Sequence, residues 1–246
     1  MKKEIRIDEL RVMMLDALTL RGIGSEDADF IVDDFLDAEL EGHKTHGVSK
    51  FLTLDIGLSG RESGIEIVRQ TGGHAKIDGH RELGHIAARQ AAAFSVELAK
   101  EYGVGLVALT NVSRYARLVP YSRLIAERGC IGIVTNNGGP AHVVPFGGSA
   151  PMFGTNPLSF GFPQGEKPPL LFDFATAQGV WGELRQAIVE ERSLPERTFL
   201  DAAGAFTTDP QRVQGVLPFG GARGAALCMA LEILTGAFVG AKMGGE

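Results

Sequence analysis

Apolar side chains recur along the first forty residues with the spacing of amphipathic helices. Leu10, Val12, Met13, Met14, Leu15, Leu18 and Leu20 predict a helix over 8–22, opened by Asp8 and closed by Gly22 and Gly24. Ser25, followed by Glu26 and Asp27, opens a second helix through about Glu41. This one turns Phe30, Ile31, Phe35, Leu36 and Leu40 inward and an acidic face outward. Gly42 ends it, and a glycine-flanked turn carries His43-Lys44-Thr45-His46-Gly47-Val48. A short helix is expected over 49–58, and two short strands at 65–68 and 75–78.

From there the pattern alternates. An alanine-rich helix is expected over about 85–102, a strand at 104–110, a helix at 118–128 and a strand at 130–135. Strand runs bounded by helices suggest an α/β sheet covered on both faces. Residues 137–157 read as a long loop rich in glycine and proline. Strands follow at 158–162 and 169–174, then a helix at 178–191, a proline-bearing turn region over 193–219, and a last apolar helix over 221–239. There is no internal repeat and no low-complexity linker.

Composition narrows the class. The chain has 246 residues and a net charge of −6, with no basic run, which argues against nucleic-acid binding. No apolar run reaches the roughly 18 residues of a membrane span. The N-terminus places charges where a signal peptide needs an apolar core, so no secretion signal is expected. Cys130 and Cys228 lie in apolar strings and read as buried thiols of a cytoplasmic protein. The 33 glycines point to tight turns and close backbone approaches.

Four features could carry chemistry. His46, between Thr45 and Gly47, titrates near working pH and could move a proton; a solvated histidine at a helix start fits the same pattern. His43 and His46 find no third metal ligand, so no metal site is expected. The segment Pro145 to Pro157 contains Gly147-Gly148 and Gly154-Thr155-Asn156-Pro157, whose amides and side chains could cradle a phosphate or ribose, although it matches no standard dinucleotide fingerprint. Asp173 ends a strand before a helix, a usual place for a ligand site and equally for a helix cap. Lys44, Lys50, Arg114, Arg117 and Arg223 supply cations for a small acidic substrate.

The order of these stretches resembles the malate/L-lactate dehydrogenase family of NAD(P)-dependent oxidoreductases. The likeness is carried by Thr45-His46-Gly47-Val48, the strand from Gly105 to Asn111, Pro145 through Gly148, Met152, and Gly154-Thr155-Asn156-Pro157. It continues through Asp173-Phe174-Ala175-Thr176, Trp181-Gly182, Leu200-Asp201 with Gly204, Thr207-Thr208-Asp209-Pro210, and Gly220-Gly221 with Gly224. The resemblance implies an α/β fold with a family-specific mixed sheet and N-terminal helices, distinct from the standard Rossmann fold, and a homodimer. It divides the chain into a helical, substrate-side region over 1–75 and a cofactor-binding region over 76–246. The implied activity is hydride transfer between NAD or NADP and a small 2-oxo/2-hydroxy acid or cyclic imino acid. By the same likeness, His46 and Asp173 are catalytic, and Lys50, Arg114 and Thr155 bind substrate. Gly154, Thr155, Asn156, Pro157, Thr176 and Arg223 lie on the cofactor side.

The chain departs from the family pattern at several of these points. Arg114 stands where the family has histidine, Lys44 where it has an acid, Lys50 for arginine, Glu183 for lysine and Arg223 for lysine. Family chains also run on past residue 246, which implies that the C-terminal part of the family fold is absent. These departures keep a second expectation open: a family member that has lost hydride transfer and uses the inherited pocket for binding or other chemistry.

Overall fold

The computed structural model describes residues 4–54, 64–137, 139–241 and 243. Helix α1 spans Ile7–Thr19 and α2 spans Ser25–Leu40. Met14 and Leu18 of α1 meet Ile31, Val32 and Phe35 of α2 over Leu83 and Ile86, forming the first core cluster. Burial follows one line of side chains four apart, so Val12, Met13 and Leu20 stay exposed despite being apolar, and Leu40 does likewise on α2. Asp8 does not cap α1: its carboxylate takes two hydrogen bonds from Arg6 (3.1 and 3.0 Å). Nor is every acid of α2 on its outer face, because Asp34 points into the protein and is 3% exposed.

A short helix α3 follows at Val48–Phe51; the rest of the predicted 49–58 helix runs into residues outside those described. Strands β1 (Glu66–Thr71) and β2 (His74–Asp78) form an antiparallel hairpin. Helix α4 (Gly84–Tyr102) leads to β3 (Leu106–Thr110), which pairs parallel to β2. Between them, Gly103 closes α4 in the left-handed conformation, φ 82°. Helix α5 (Val119–Glu127) precedes β4 (Gly132–Thr135), and β5 (Leu158–Gln164) with β6 (Lys167–Phe174) completes an antiparallel sheet in the order β4-β5-β6.

Helix α5 lies directly on β5. A Cβ at Gly161 would collide with the carbonyl oxygen of Ser122, while Ser122 and Ser159 share a buried hydroxyl hydrogen bond of 2.7 Å. Gly161→Ala is therefore expected to cost about 1–3 kcal/mol by overpacking. Urea denaturation reads this directly, and an unchanged midpoint would show that α5 can slide.

Helix α6 (Trp181–Val189) begins three residues later than the pattern suggested. The region 193–219 is not simply turns. It holds β7 (Phe199–Asp201), β8 (Phe206–Thr207) and β9 (Val213–Val216), a third sheet in the order β8-β7-β9, with one 3₁₀ turn at Pro210–Arg212. Strands of two to four residues are too short to show alternation, and Asp201 conceals the hairpin by accepting hydrogen bonds from the amides of Ala203 and Ala205. Helix α7 (Ala222–Thr235) closes the second core cluster, where Cys228 meets Val143, Phe199 and Val216. Cys130, by contrast, is only half-buried.

The fold is the expected mixed α/β arrangement with N-terminal helices. Among the described residues the single sheet covered on both faces is not found: they form three separate three-stranded sheets, and β1 and most of β6 face outward. No described helix is long and apolar enough to cross a membrane.

Candidate functional site

The turn after α2 is built by backbone hydrogen bonds. Gly42 takes φ 83°, the His43 amide donates to Ala38, and the His46 amide donates to the His43 carbonyl. The Glu39 carboxylate accepts from the Val48 amide at 3.0 Å, and a Cβ at Gly47 would strike that carboxylate. Thr45 packs against Gly182, the second residue of α6, where a Cβ would meet its side chain at 2.7 Å. The glycines at 47 and 182 thus seat the turn between α2 and α6.

His46 stands at the edge of a cleft of about 2960 Å³. That exceeds the roughly 300–1,000 Å³ of a single small-ligand pocket. Its Nδ1 is 3.0 Å from the Thr45 hydroxyl, and its Nε2 has no hydrogen-bond partner among the described residues. Burial, reinforced by Lys50, Arg117 and His43, lowers the imidazole pKa to about 4. The ring is neutral at pH 7 in the absence of a ligand.

Lys50, Arg114 and Arg185 line the same cleft, and none forms an ion pair with a described carboxylate. Burial lowers the Lys50 pKa, and the positive charges of Arg185 and Arg114 lower it further. His142 and Trp181 stack face to face beside them, centroids 3.9 Å apart and planes 9° apart. The sequence marked Trp181 through its family motif but neither Arg185 nor His142. Arg185 sits one helical turn after Trp181, a signal visible only once α6 is known to border the cleft.

The other candidates divide. Asp173 lines the cleft but does not touch His46: its Oδ2 accepts from the amides of Leu118 and Val119 (3.2 and 3.0 Å) at the start of α5. Desolvation raises its pKa against the pull of those two amides. Arg117 is not available to a ligand. It is buried, with Nε 2.6 Å from Asp34 and Nη1 2.5 Å from Glu41.

Within the Gly154–Pro157 segment, only Thr155 and Pro157 reach the cleft. Asn156 is fully buried at φ 37° and donates to the Cys228 carbonyl and to Glu232. Thr176 is also buried, its hydroxyl donating to the carbonyls of Thr155 and Asn156, and Gly154 lies inside the loop. These residues shape the loop from behind. Arg223 is exposed on α7 and does not line the cleft.

One further cleft residue lies at the end of β4. Asn136 donates to the Tyr115 hydroxyl at 3.0 Å, and its Oδ1 is buried without a partner. A buried acceptor of this kind suits a carboxamide N–H such as that of a nicotinamide. No group of three or more metal-ligating side chains occurs among the described residues.

Comparison with known proteins places the chain in a family. The chain is 36% identical over 242 residues to an L-sulfolactate dehydrogenase of Methanocaldococcus jannaschii, covering 95% of this chain and 70% of the relative. It is 30% identical to a Delta(1)-pyrroline-2-carboxylate reductase of Burkholderia ambifaria, covering 96% of this chain and 71% of the relative. A crystal structure of malate dehydrogenase from Entamoeba histolytica superimposes with a TM-score of 0.90 at 27% identity, covering all of this chain and 73% of that one. The malate/L-lactate dehydrogenase family model matches residues 5–246, and the chain belongs to that family of oxidoreductases.

Proposed function

We propose that the protein transfers a hydride between a nicotinamide cofactor and a small 2-oxo/2-hydroxy acid or cyclic imino acid. The observation that carries this reading is an imidazole with a free Nε2 at the wall of a cleft, beside three cations without described carboxylate partners. The relatives named above act on substrates of these two kinds, a 2-hydroxy acid and a cyclic imino acid, each with a carboxylate that such cations would bind.

The cofactor, when bound, supplies or accepts the hydride. Asn136 would meet its carboxamide, with Thr155 and Pro157 forming the adjoining wall, while Gly154, Asn156 and Thr176 hold that wall in place. Arg223 plays no part in this arrangement as the cleft stands. Lys50 binds the substrate carboxylate next to the reacting carbon. In the protonated ring of His46, Nδ1–H donates to the Thr45 hydroxyl and Nε2–H is directed at the carbonyl oxygen or imine nitrogen; in the reverse direction Nε2 accepts the proton. Asp173 positions the start of α5 at the cleft. The region over 1–75 then brings His46 and Lys50 to the substrate side, and the region over 76–246 forms the cofactor side and adds Arg114 and Arg185 to the substrate side. We infer further that the protein works in the cytoplasm as a homodimer.

Titrating the purified protein with NADH and with NADPH, followed by cofactor fluorescence, tests the reading. A panel of 2-oxo acids and cyclic imines is added in turn. Saturable binding, then oxidation of the cofactor with at least one acid or imine, is expected, and the two titrations compared select NADH or NADPH. A folded protein that binds neither cofactor overturns the reading and favours reuse of the cleft for other chemistry.

A further inference from the structure

We propose that Arg185 is the residue by which the cleft recognises a second anionic group, so that the protein prefers dianionic 2-oxo acids, with a carboxylate or sulfonate beyond the reacting carbon, over monoanionic ones of the same length. The inference rests on the reading of the cleft as a 2-oxo acid site and assigns the charge selection within it.

Helix α6 presents Trp181, Arg185 and Val189 to the cleft at four-residue spacing, while Leu184 and Ala187 anchor its other face in the core. Two contacts fix the helix one turn before Arg185: Trp181 stacked on His142, and Gly182 against Thr45. Arg185 therefore projects from a seated element that also holds the His46 turn. Its nearest acidic neighbours leave it without a counter-charge. Glu190 is engaged by Gln186 and Arg192, and Glu183 forms no ion pair with it.

The two ends of a substrate can be told apart by which cation acts on which group. Lys50 and Arg117 are the cleft cations that influence His46; Arg117 is held by Asp34 and Glu41, so a carboxylate bonded directly to the reacting carbon falls to Lys50. Arg185 influences Lys50 and His142 but is not among the groups acting on His46. Its helix meets the His46 turn through Gly182 and Thr45, and its charge acts on Lys50 and on His142, so it stands beside the cation assigned to the first carboxylate. Arg114 shares that side but comes from an irregular segment after β3, whereas Arg185 has a fixed base. Its planar guanidinium can hold a carboxylate or sulfonate through two hydrogen bonds.

The test compares oxaloacetate with 2-oxobutyrate as substrates, and succinate with butyrate as unreactive probes followed by calorimetry. The wild-type protein is expected to prefer the dianion in both pairs. Arg185→Leu is expected to lower kcat/KM for oxaloacetate about 10- to 100-fold, mainly through KM, with 2-oxobutyrate changed by less than about twofold. It should also abolish the preference for succinate. Arg185→Lys should restore part of both, which loss of packing alone would not allow. Equal selectivity in wild type and Arg185→Leu overturns the assignment, as does a selectivity loss that follows Arg114→Leu instead. A wild-type protein that reduces neither acid but still binds succinate through Arg185 would sink the hydride-transfer reading and leave the assignment standing.

Discussion

His46→Ala is expected to lower turnover by about two to four orders of magnitude, the usual contribution of a positioned general acid or base. Cofactor binding should be unchanged, because His46 faces the cations of the substrate side and Asn136 lies at the end of a different strand. Unchanged turnover would remove His46 from the reaction. The pH dependence offers a second check with a definite sign. Free of ligand, the imidazole titrates at about 4, so it is the neutral base above that pH. Oxidation of a hydroxy acid should then show a kcat/KM that is flat from about pH 5 to 8 and falls below about 4. Reduction needs the protonated ring, so its kcat/KM should fall as pH rises through the same range. An anionic substrate beside Lys50 offsets part of the positive field on His46 and raises its pKa in the complex. The kcat profile for reduction is therefore expected to extend to higher pH than the kcat/KM profile, with proton uptake on binding visible by calorimetry in buffers of different ionisation enthalpy. A kcat/KM for reduction that rises with pH would contradict the proposed proton path.

Arg117→Leu is expected to destabilise the protein by about 3–5 kcal/mol at pH 7, the cost of leaving a buried charge without its partner. Asp34 is 3% exposed, and besides Arg117 its surroundings offer little: its Oδ2 makes no hydrogen bond, and His85 Nε2 is 3.8 Å away. Burial already raises the Asp34 pKa to about 6, with Arg117 pulling the other way. In the variant that opposing pull is gone and the carboxyl protonates more readily. The loss should therefore shrink as pH falls from 7 to 5, and urea denaturation at the two values measures the difference. A loss below about 1 kcal/mol, or one independent of pH, would mean that solvent reaches Asp34.

The wild-type protein carries opposing linkages over this range. Asp34, with a folded-state pKa above its unfolded value of 3.8, gains stability as pH falls from 6 toward 4. His85 and His46, both lowered to about 4 from 6.5, lose stability over 6.5 to 4, because the unfolded chain takes up protons that the buried rings refuse. Asp173, also raised, adds to the gain on acidification, and His142, also lowered, adds to the loss.

Much of the architecture was legible because its elements are long enough to repeat. Helices of thirteen to nineteen residues, as in α1, α2 and α4, show several turns of apolar spacing, and glycines mark their ends. The third sheet escaped notice because strands of two to four residues show no period. Inward and outward faces were misjudged at Asp34 and Leu40 for a related reason: periodicity names a stripe, and only the neighbouring elements decide which side chains within reach of it are covered. The role of Arg117 was likewise hidden, since its two carboxylate partners lie more than seventy residues earlier in the chain.

The amino-acid sequence by itself determined the long helices and most strands of the first two sheets, the family, and the presence of His46 in a glycine-bounded turn with Lys50 just after it, because these depend on local pattern and on motifs in order. The tertiary structure alone decided which charges are free. Arg117 is spent on Asp34 and Glu41, Asp173 on two amides, and Asn156 and Thr176 on the loop they support. Arg185 and Asn136, unmarked in the sequence, line the cleft, Arg185 with no ion pair among the described residues and Asn136 with its Oδ1 unpartnered. A polar side chain is available for function only when folding brings no protein partner to it, and that depends on residues far away along the chain.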